Sequence, residues 1–208
     1  MCIICKEEYS GLNELFIEKG CNKLITIPNI KGLKKLTLWD CNNLITIYNI
    51  EGLQEVTIYN SKSLISIPNI GGLKKLSIWC CSKLNSISNI RGLQELFIHD
   101  CNKLEYIPNI NGLKILSIEV FNNLISVPII EGLEELNIDC CPNLITIPNI
   151  KGLKKLTLWD CNNLISISNI EGLNILIIDR CNKLSDIPNI ENINDVKVND
   201  CDNLNTFT

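Results

Sequence analysis

The chain has 208 residues, with 19 basic and 23 acidic side chains and a formal net charge of −4 at pH 7. It contains 37 Ile, 29 Leu and 29 Asn, no Ala, twelve Cys, one His, and only 5% aromatic residues. This balance excludes a phosphate-driven nucleic-acid binder; the lack of Ala beside so much Ile and Asn argues against an ordinary helical domain; and 46% hydrophobic content excludes disorder.

The first ten residues, MCIICKEEYS, carry no basic segment and no apolar stretch of signal-peptide length. No apolar run approaches the ~18 residues of a membrane span. Residues 1–10 are therefore read as a lead-in or degenerate cap, and Cys2-x-x-Cys5 as an accidental pair without thioredoxin-like surroundings. From residue 11 a single unit recurs. Glycine stands at Gly32, Gly52, Gly72, Gly92, Gly112, Gly132, Gly152 and Gly172, always 20 apart. Gly11 precedes Gly32 by 21, the extra residue falling near Lys19-Gly20, and Asn192 takes the glycine place in the last copy. Residues 31–45 return letter for letter at 151–165. The expected organisation is one array over 11–208, about ten copies, of which the last (192–208) is incomplete.

Within the unit, Leu36-Thr37-Leu38 alternates as a half-buried strand does. Proline at Pro28, Pro68, Pro108, Pro128, Pro148 and Pro188, beside β-branched neighbours, excludes a helix there and predicts extended, polyproline-like or short 3₁₀ backbone. Tyr48, Ser88 and Ser168 alternate with proline, so the N–H at that place is expected outside any ladder. Seven inward positions per coil follow: Leu33, Leu36, Leu38, Cys41, Leu44, Ile47 and Ile50. A single unit is too short to bury them alone, so neighbouring coils must stack.

LKKLTLWDCNNL at 33–44 resembles the leucine-rich-repeat signature L-x-x-L-x-L-x-x-N/C-x-x-L in its cysteine form. The 20-residue period and the I-P-N-I segment are similar to short repeats of bacterial effectors, and Cys-x-x-Leu to plant resistance receptors. The near-identical copies and the Ile, Asn and Lys bias resemble leucine-rich-repeat proteins of giant, mimivirus-like DNA viruses. The resemblance implies an α/β-type repeat solenoid, mostly a parallel β-sheet on the concave face, with extended or 3₁₀ convex segments and little or no α-helix. A three-sided parallel β-helix is the alternative architecture.

Stacked coils turn each repeat position into a column, with neighbours ~4.8 Å apart. Cys21, Cys41, Cys81, Cys101, Cys141, Cys161, Cys181 and Cys201 share one column, with Ser61 and Phe121 in the other places. A straight column does not converge four thiolates on a metal, so these are read as buried thiols and no metal or cofactor is expected. An asparagine column (Asn29, Asn49, Asn69, Asn89, Asn109, Asn149, Asn169, Asn189) is read as structural, its amides bonding to one another and capping loops. Glu14, Lys35, Glu55, Lys75 and Glu95 alternate in sign as a solvated, register-setting face.

The informative column holds Trp39, Tyr59, Trp79 and His99, then Glu119, Asp139, Trp159 and Asp179. Phe16 and Phe97 lie beside it, and Asp40, Asn60 and Asp100 along its edge. Core packing does not require these rings, and Trp and Tyr are typical hot-spot residues. The candidate partner-binding residues are therefore Trp39, Tyr59, Trp79, His99, Phe97, Asp40, Asp100 and Trp159. Catalysis is not expected: the only dyad, His99 with Cys80 or Asp100, lacks an orienter and a water-excluded pocket.

The expected function is a non-enzymatic module that binds a protein, a host protein if the source is viral. It involves no nucleic acid and no membrane, and the setting is reducing and cytoplasmic. The resemblance also allows a substrate-recruiting adaptor whose ubiquitin-ligase chain is elsewhere. Self-association through uncapped ends is a third reading, opposed by charges at Asp195, Lys197 and Asp200 around Val196 and Val198.

Overall fold

Twenty residues leave room for one strand, two tight turns and an extended return, and each coil takes that path. The structure, a computed structural model, describes residues 11–18, 21, 23–187 and 190–204. The lead-in at 1–10 with Cys2 and Cys5, the Lys19-Gly20 insertion, Pro188 and Asn189 lie outside the described residues. The chain forms two compact units, residues 1–111 and 112–208.

The first unit contains β1 (Glu14–Ile17), β2 (Lys35–Trp39), β3 (Glu55–Tyr59), β4 (Ser66–Ile67), β5 (Lys75–Trp79), β6 (Ser86–Ile87) and β7 (Glu95–His99). Its long strands pair in parallel in the order β1-β2-β3-β5-β7. Each residue faces the one 20 further on, as in Lys35 opposite Glu55 and Trp39 opposite Tyr59. Between β1 and β2 the offset is 21, Glu14 facing Lys35, as the longer first spacing requires. The second unit contains β8 (Ile115–Glu119), β9 (Glu135–Asp139), β10 (Thr146–Ile147), β11 (Lys155–Trp159), β12 (Ser166–Ile167), β13 (Ile175–Asp179) and β14 (Asp195–Asn199), with long strands in the order β8-β9-β11-β13-β14. Each unit is a parallel β-solenoid, and no described residue is α-helical. Among the described residues no helix is long and apolar enough to cross a membrane.

All seven expected inward positions of the second coil are buried: Leu33, Leu36, Leu38, Cys41, Leu44, Ile47 and Ile50 are at most 1% exposed. Two turns close the coil around them. The Leu33 N–H donates to the Ile30 carbonyl at 3.2 Å across Gly32, whose φ of +89° suits the third position of a type II turn. The Leu44 N–H donates to the Cys41 carbonyl at 3.0 Å. Asn192, lacking glycine's freedom, changes the first turn in the last copy. There the same closure, Ile193 N–H to the Ile190 carbonyl at 3.0 Å, is a 3₁₀ turn over Ile190–Asn192.

The return segment departs from expectation at two serines. The Ser88 and Ser168 N–H groups donate to the Ile67 and Ile147 carbonyls, both at 2.9 Å, and so do join a ladder. These are the places where the two-residue pairs form, β4 with β6 and β10 with β12. Each pair has a proline in its first coil (Pro68, Pro148) and a serine in its second, so the second coil keeps the donor that proline would remove. At Pro108 that donor is missing and residues 105–110 form no strand. Among the described residues the asparagine column, Asn29 to Asn169, is exposed, and one of its side chains caps a loop: Gly71 N–H donates to Asn49 Oδ1 at 3.0 Å.

In the cysteine column Cys41, Cys81, Cys101, Cys141, Cys161 and Cys181 are fully buried. Each thiol donates to the carbonyl two residues earlier, for example Cys101 to His99 at 3.4 Å and Cys161 to Trp159 at 3.4 Å. Burial pushes the Cys141 thiol up to about 12. Ser61 occupies this column fully buried, and its hydroxyl has no hydrogen-bond partner. The C–O bond is shorter than C–S and does not span the distance the sulfur does. Ser61→Cys is therefore expected to raise stability by about 1–2 kcal/mol, by removing a buried unsatisfied hydroxyl. Urea denaturation under reducing conditions checks this, and an unchanged or lower midpoint would contradict it.

Candidate functional site

The strand alternation that buries Leu36 and Leu38 leaves Lys35, Thr37 and Trp39 on the other face of β2. Repeated by parallel pairing, it lines up Trp39, Tyr59, Trp79 and His99 at successive strand ends of the first unit. Phe16, Trp39 and Tyr59 are 50%, 43% and 42% exposed, unusual for rings of this size. Phe16 meets Trp39 edge-on at 5.3 Å between centroids, and Trp39 meets Tyr59 at 5.9 Å. Trp79 and His99 stack at 5.0 Å with a 30° tilt. Phe97 is covered by the Lys75 ammonium, 4.9 Å above its ring, and the same ammonium lies 2.9 Å from Glu95. The structure thus brings Trp39, Tyr59, Trp79, His99 and Phe97 onto one face. Trp159 belongs to the second unit, where Asp139 and Asp179 face it across the sheet.

Asp40 and Asp100 follow the strands directly, with φ of 55° and 48°. They belong to a column whose shared left-handed backbone the sequence did not reveal: Asp40, Asn60, Cys80, Asp100, Val120, Cys140, Asp160, Arg180 and Asp200 all have φ between 46° and 55°. Asp and Asn are the non-glycine residues that best tolerate this conformation, so their recurrence before the cysteine was a usable signal. Their side chains also tie coils and turns together. The Asn60 amide donates to the Asp40 carboxylate, and the Asn102 amide to Asp100 at 2.7 Å. Val120 is the misfit, since a β-branched side chain is strained at φ 52°. Val120→Asn is expected to stabilise by about 1 kcal/mol, read as a higher denaturation midpoint.

The charge columns behave as a solvated face. Lys35 lies 3.3 Å from Glu55 and 3.9 Å from Glu14, and Lys155 lies 2.8 Å from Glu135. One column over, Glu134 sits between Lys114 at 2.8 Å and Lys154 at 2.9 Å. Hydrogen bonds from Lys114 and then Lys154 hold its carboxyl well below its ordinary 4.5, at about 2. A depressed folded value means stability that is present above pH 4.5 and lost as pH falls through 2. A carboxyl NMR titration is expected to show the Glu134 midpoint low in wild type and returned towards 4.5 in Lys114→Met, with salt shrinking the difference.

The pairing of His99 with Cys80, from which no catalysis is expected, gains no activation of its thiol. Burial, then Asp100 and Cys101, push the Cys80 thiol up, the opposite of what a nucleophile needs. Asp139, Cys140 and Asp160 bring three possible ligand atoms within 4.8 Å of one another. Their chemistry fits a metal poorly. Burial and Asp139 push the Cys140 thiol up to about 11, and Arg180 already chelates Asp160 at 2.8 and 2.7 Å.

A second exposed feature also escaped the sequence reading: Ile25, Ile45 and Ile65 in the first unit, and Ile125, Ile145 and Ile165 in the second, are 43–62% exposed. Each is the residue after the buried leucine of the second turn. The chain holds its ridge by N–H to carbonyl bonds from coil to coil, such as Ile45 to Ile25 at 3.0 Å. The signal was the unexplained Ile in the recurrent Leu-Ile-x-Ile.

No family model and no curated protein matches the sequence. Among solved structures, the leucine-rich repeat domain of the type III effector XopL is similar, at 22% identity and a TM-score of 0.76 over 91% of this chain and 77% of that one. A leucine-rich repeat protein from Bacteroides ovatus aligns at 15% identity over 89% of this chain and 78% of that one, with a TM-score of 0.27. The 20-residue coils, the buried leucine ladder and the likeness to the XopL domain make the fold of this chain that of the leucine-rich repeat.

Proposed function

We propose that the chain is a non-enzymatic protein-interaction module whose first unit binds a protein partner through the sheet face centred on Trp39, Tyr59, Trp79 and His99. The carrying observation is a row of rings on consecutive strands where the core has no use for them: Phe16, Trp39 and Tyr59 are exposed and in contact, and the half-buried Trp79 and His99 stack on each other. Phe97, Asp40 and Asp100 border this face, while Trp159 serves the second unit. Rigid aromatic side chains at strand ends lose little entropy on binding and offer large contact areas. The thiols of Cys81, Cys101, Cys141, Cys161 and Cys181, buried and each donating to a backbone carbonyl, support a reducing, cytoplasmic setting. The Ile, Asn and Lys bias supports an AT-rich, viral source, in which case the partner is a host protein.

The test is affinity capture from the native cell with wild type beside the fourfold variant Trp39→Ala, Tyr59→Ala, Trp79→Ala, His99→Ala. A partner held by wild type and lost by the variant, with unchanged far-UV circular dichroism, is the expected result. Equal capture by both would remove the patch from the interface.

A further inference from the structure

Trp159 lies in a segment identical in sequence to that of Trp39, yet the two indoles have different neighbours. Trp39 sits between two rings. Trp159 stands between two carboxylate-bearing residues of adjacent strands, Asp139 and Asp179, and is 44% exposed. Beside it the exposed sheet face of the second unit forms a half-open depression of about 350 Å³, lined by Ser117, Glu119, Asn137, Asp139, Thr157 and Trp159 among others. That volume is within the range of small-ligand sites.

The lining offers an aromatic face and acceptors. Its one cation, Lys155, is committed to Glu135, 2.8 Å away. The Asn137 amide nitrogen donates to the same Glu135 at 2.9 Å, which leaves its carbonyl oxygen as an acceptor. The Thr157 hydroxyl is shielded from solvent and has no hydrogen-bond partner. A ligand that satisfies this set is cationic, flat enough to lie on an indole, and rich in donors spread over one plane. A guanidinium has those properties, whereas an ammonium is a compact, strongly hydrated point charge. The second unit already holds one guanidinium in such a manner: Arg180 Nε and Nη2 donate to the two Asp160 oxygens of the preceding coil at 2.8 and 2.7 Å.

We propose that this depression binds the arginine side chain of a protein partner, its guanidinium stacked on Trp159 and hydrogen-bonded to the Asp139 carboxylate. The site is independent of the aromatic face of the first unit, so either can fail without the other.

The experiment titrates the full chain with an end-blocked Gly-Arg-Gly peptide and its lysine and citrulline counterparts, following the indole N–H resonances. The Trp159 resonance is identified as the one missing from Trp159→Phe. The arginine peptide is expected to move it at the millimolar concentrations usual for a single side chain, leaving those of Trp39 and Trp79 in place. The uncharged citrulline peptide is expected to move nothing, and the lysine peptide to bind several-fold more weakly. Asp139→Asn should weaken the arginine peptide about tenfold, as loss of one charge-assisted hydrogen bond does. Glu119→Gln is the second variant should Asp139→Asn perturb the fold, with a loss of a few-fold. A still Trp159 resonance, an equal response to citrulline or lysine, or undiminished binding by a folded variant would overturn the proposal.

Discussion

Phe121→Ala is expected to lower stability by about 3–5 kcal/mol, the range for emptying a fully buried aromatic site. Phe121 stands in the cysteine column of the second unit, is completely buried, and is among the largest buried side chains of the chain. Every other coil holds a small residue there, Cys or Ser61. Restoring the common residue is therefore no remedy. Phe121→Cys removes most of the ring volume while the surrounding leucines and isoleucines stay where the ring has placed them, so a cavity remains. A loss of about 2–4 kcal/mol follows, somewhat below that of Ala because the sulfur fills part of the space. The same coil carries Val127 where most others carry Ile, one methylene fewer, as an overfilled coil would. Phe121→Cys combined with Val127→Ile should then recover part of the loss, and a double-mutant cycle on urea midpoints measures the coupling. A cost of Phe121→Ala under about 1 kcal/mol would mean that the coil closes around the gap.

The contrast with Ser61→Cys shows what a repeat sequence makes legible. Columns in which burial dictates the residue type can be read directly: Leu36, Leu38, Leu44, Ile47 and Ile50 are all buried as their recurrence requires. The fold followed from them, because the 20-residue period leaves few ways to bury seven apolar positions per coil. What the recurrence hid was conformation. Asp40, Asn60, Asp100 and Asp160 were visible as a column, but their shared left-handed backbone turns on φ, which Asp and Asn signal only by preference. At Ser88 and Ser168 the alternation with proline masks the donor that each serine retains for the preceding coil. Exposed columns are the least legible of all. Packing does not select Trp39 over Thr37 or Ile45 over Asn85, so the ring face was found only because rings are rare in this chain, and the isoleucine ridge was missed because isoleucine is common.

Trp39→Ala is the single change expected to cost most in partner binding, roughly 30-fold or more in affinity, the scale of a central hot-spot residue. Its indole touches both Phe16 and Tyr59, so it is the shared wall of two ring contacts, and its removal leaves both neighbours without lateral support. Stability should change little by comparison, since the side chain is already 43% exposed and covers no core position. The proper control is another exposed ring of the same unit placed off the strands. Tyr48 is 57% exposed and occupies the proline place of its coil, outside β2 and β3. Tyr48→Ala should leave affinity within about twofold, the scatter expected of a surface truncation outside an interface. If rings merely shield the sheet, the pattern inverts: Trp39→Ala then lowers the denaturation midpoint and leaves affinity untouched. Titration calorimetry with the captured partner, paired with urea midpoints for both variants, separates a binding face from a covered one.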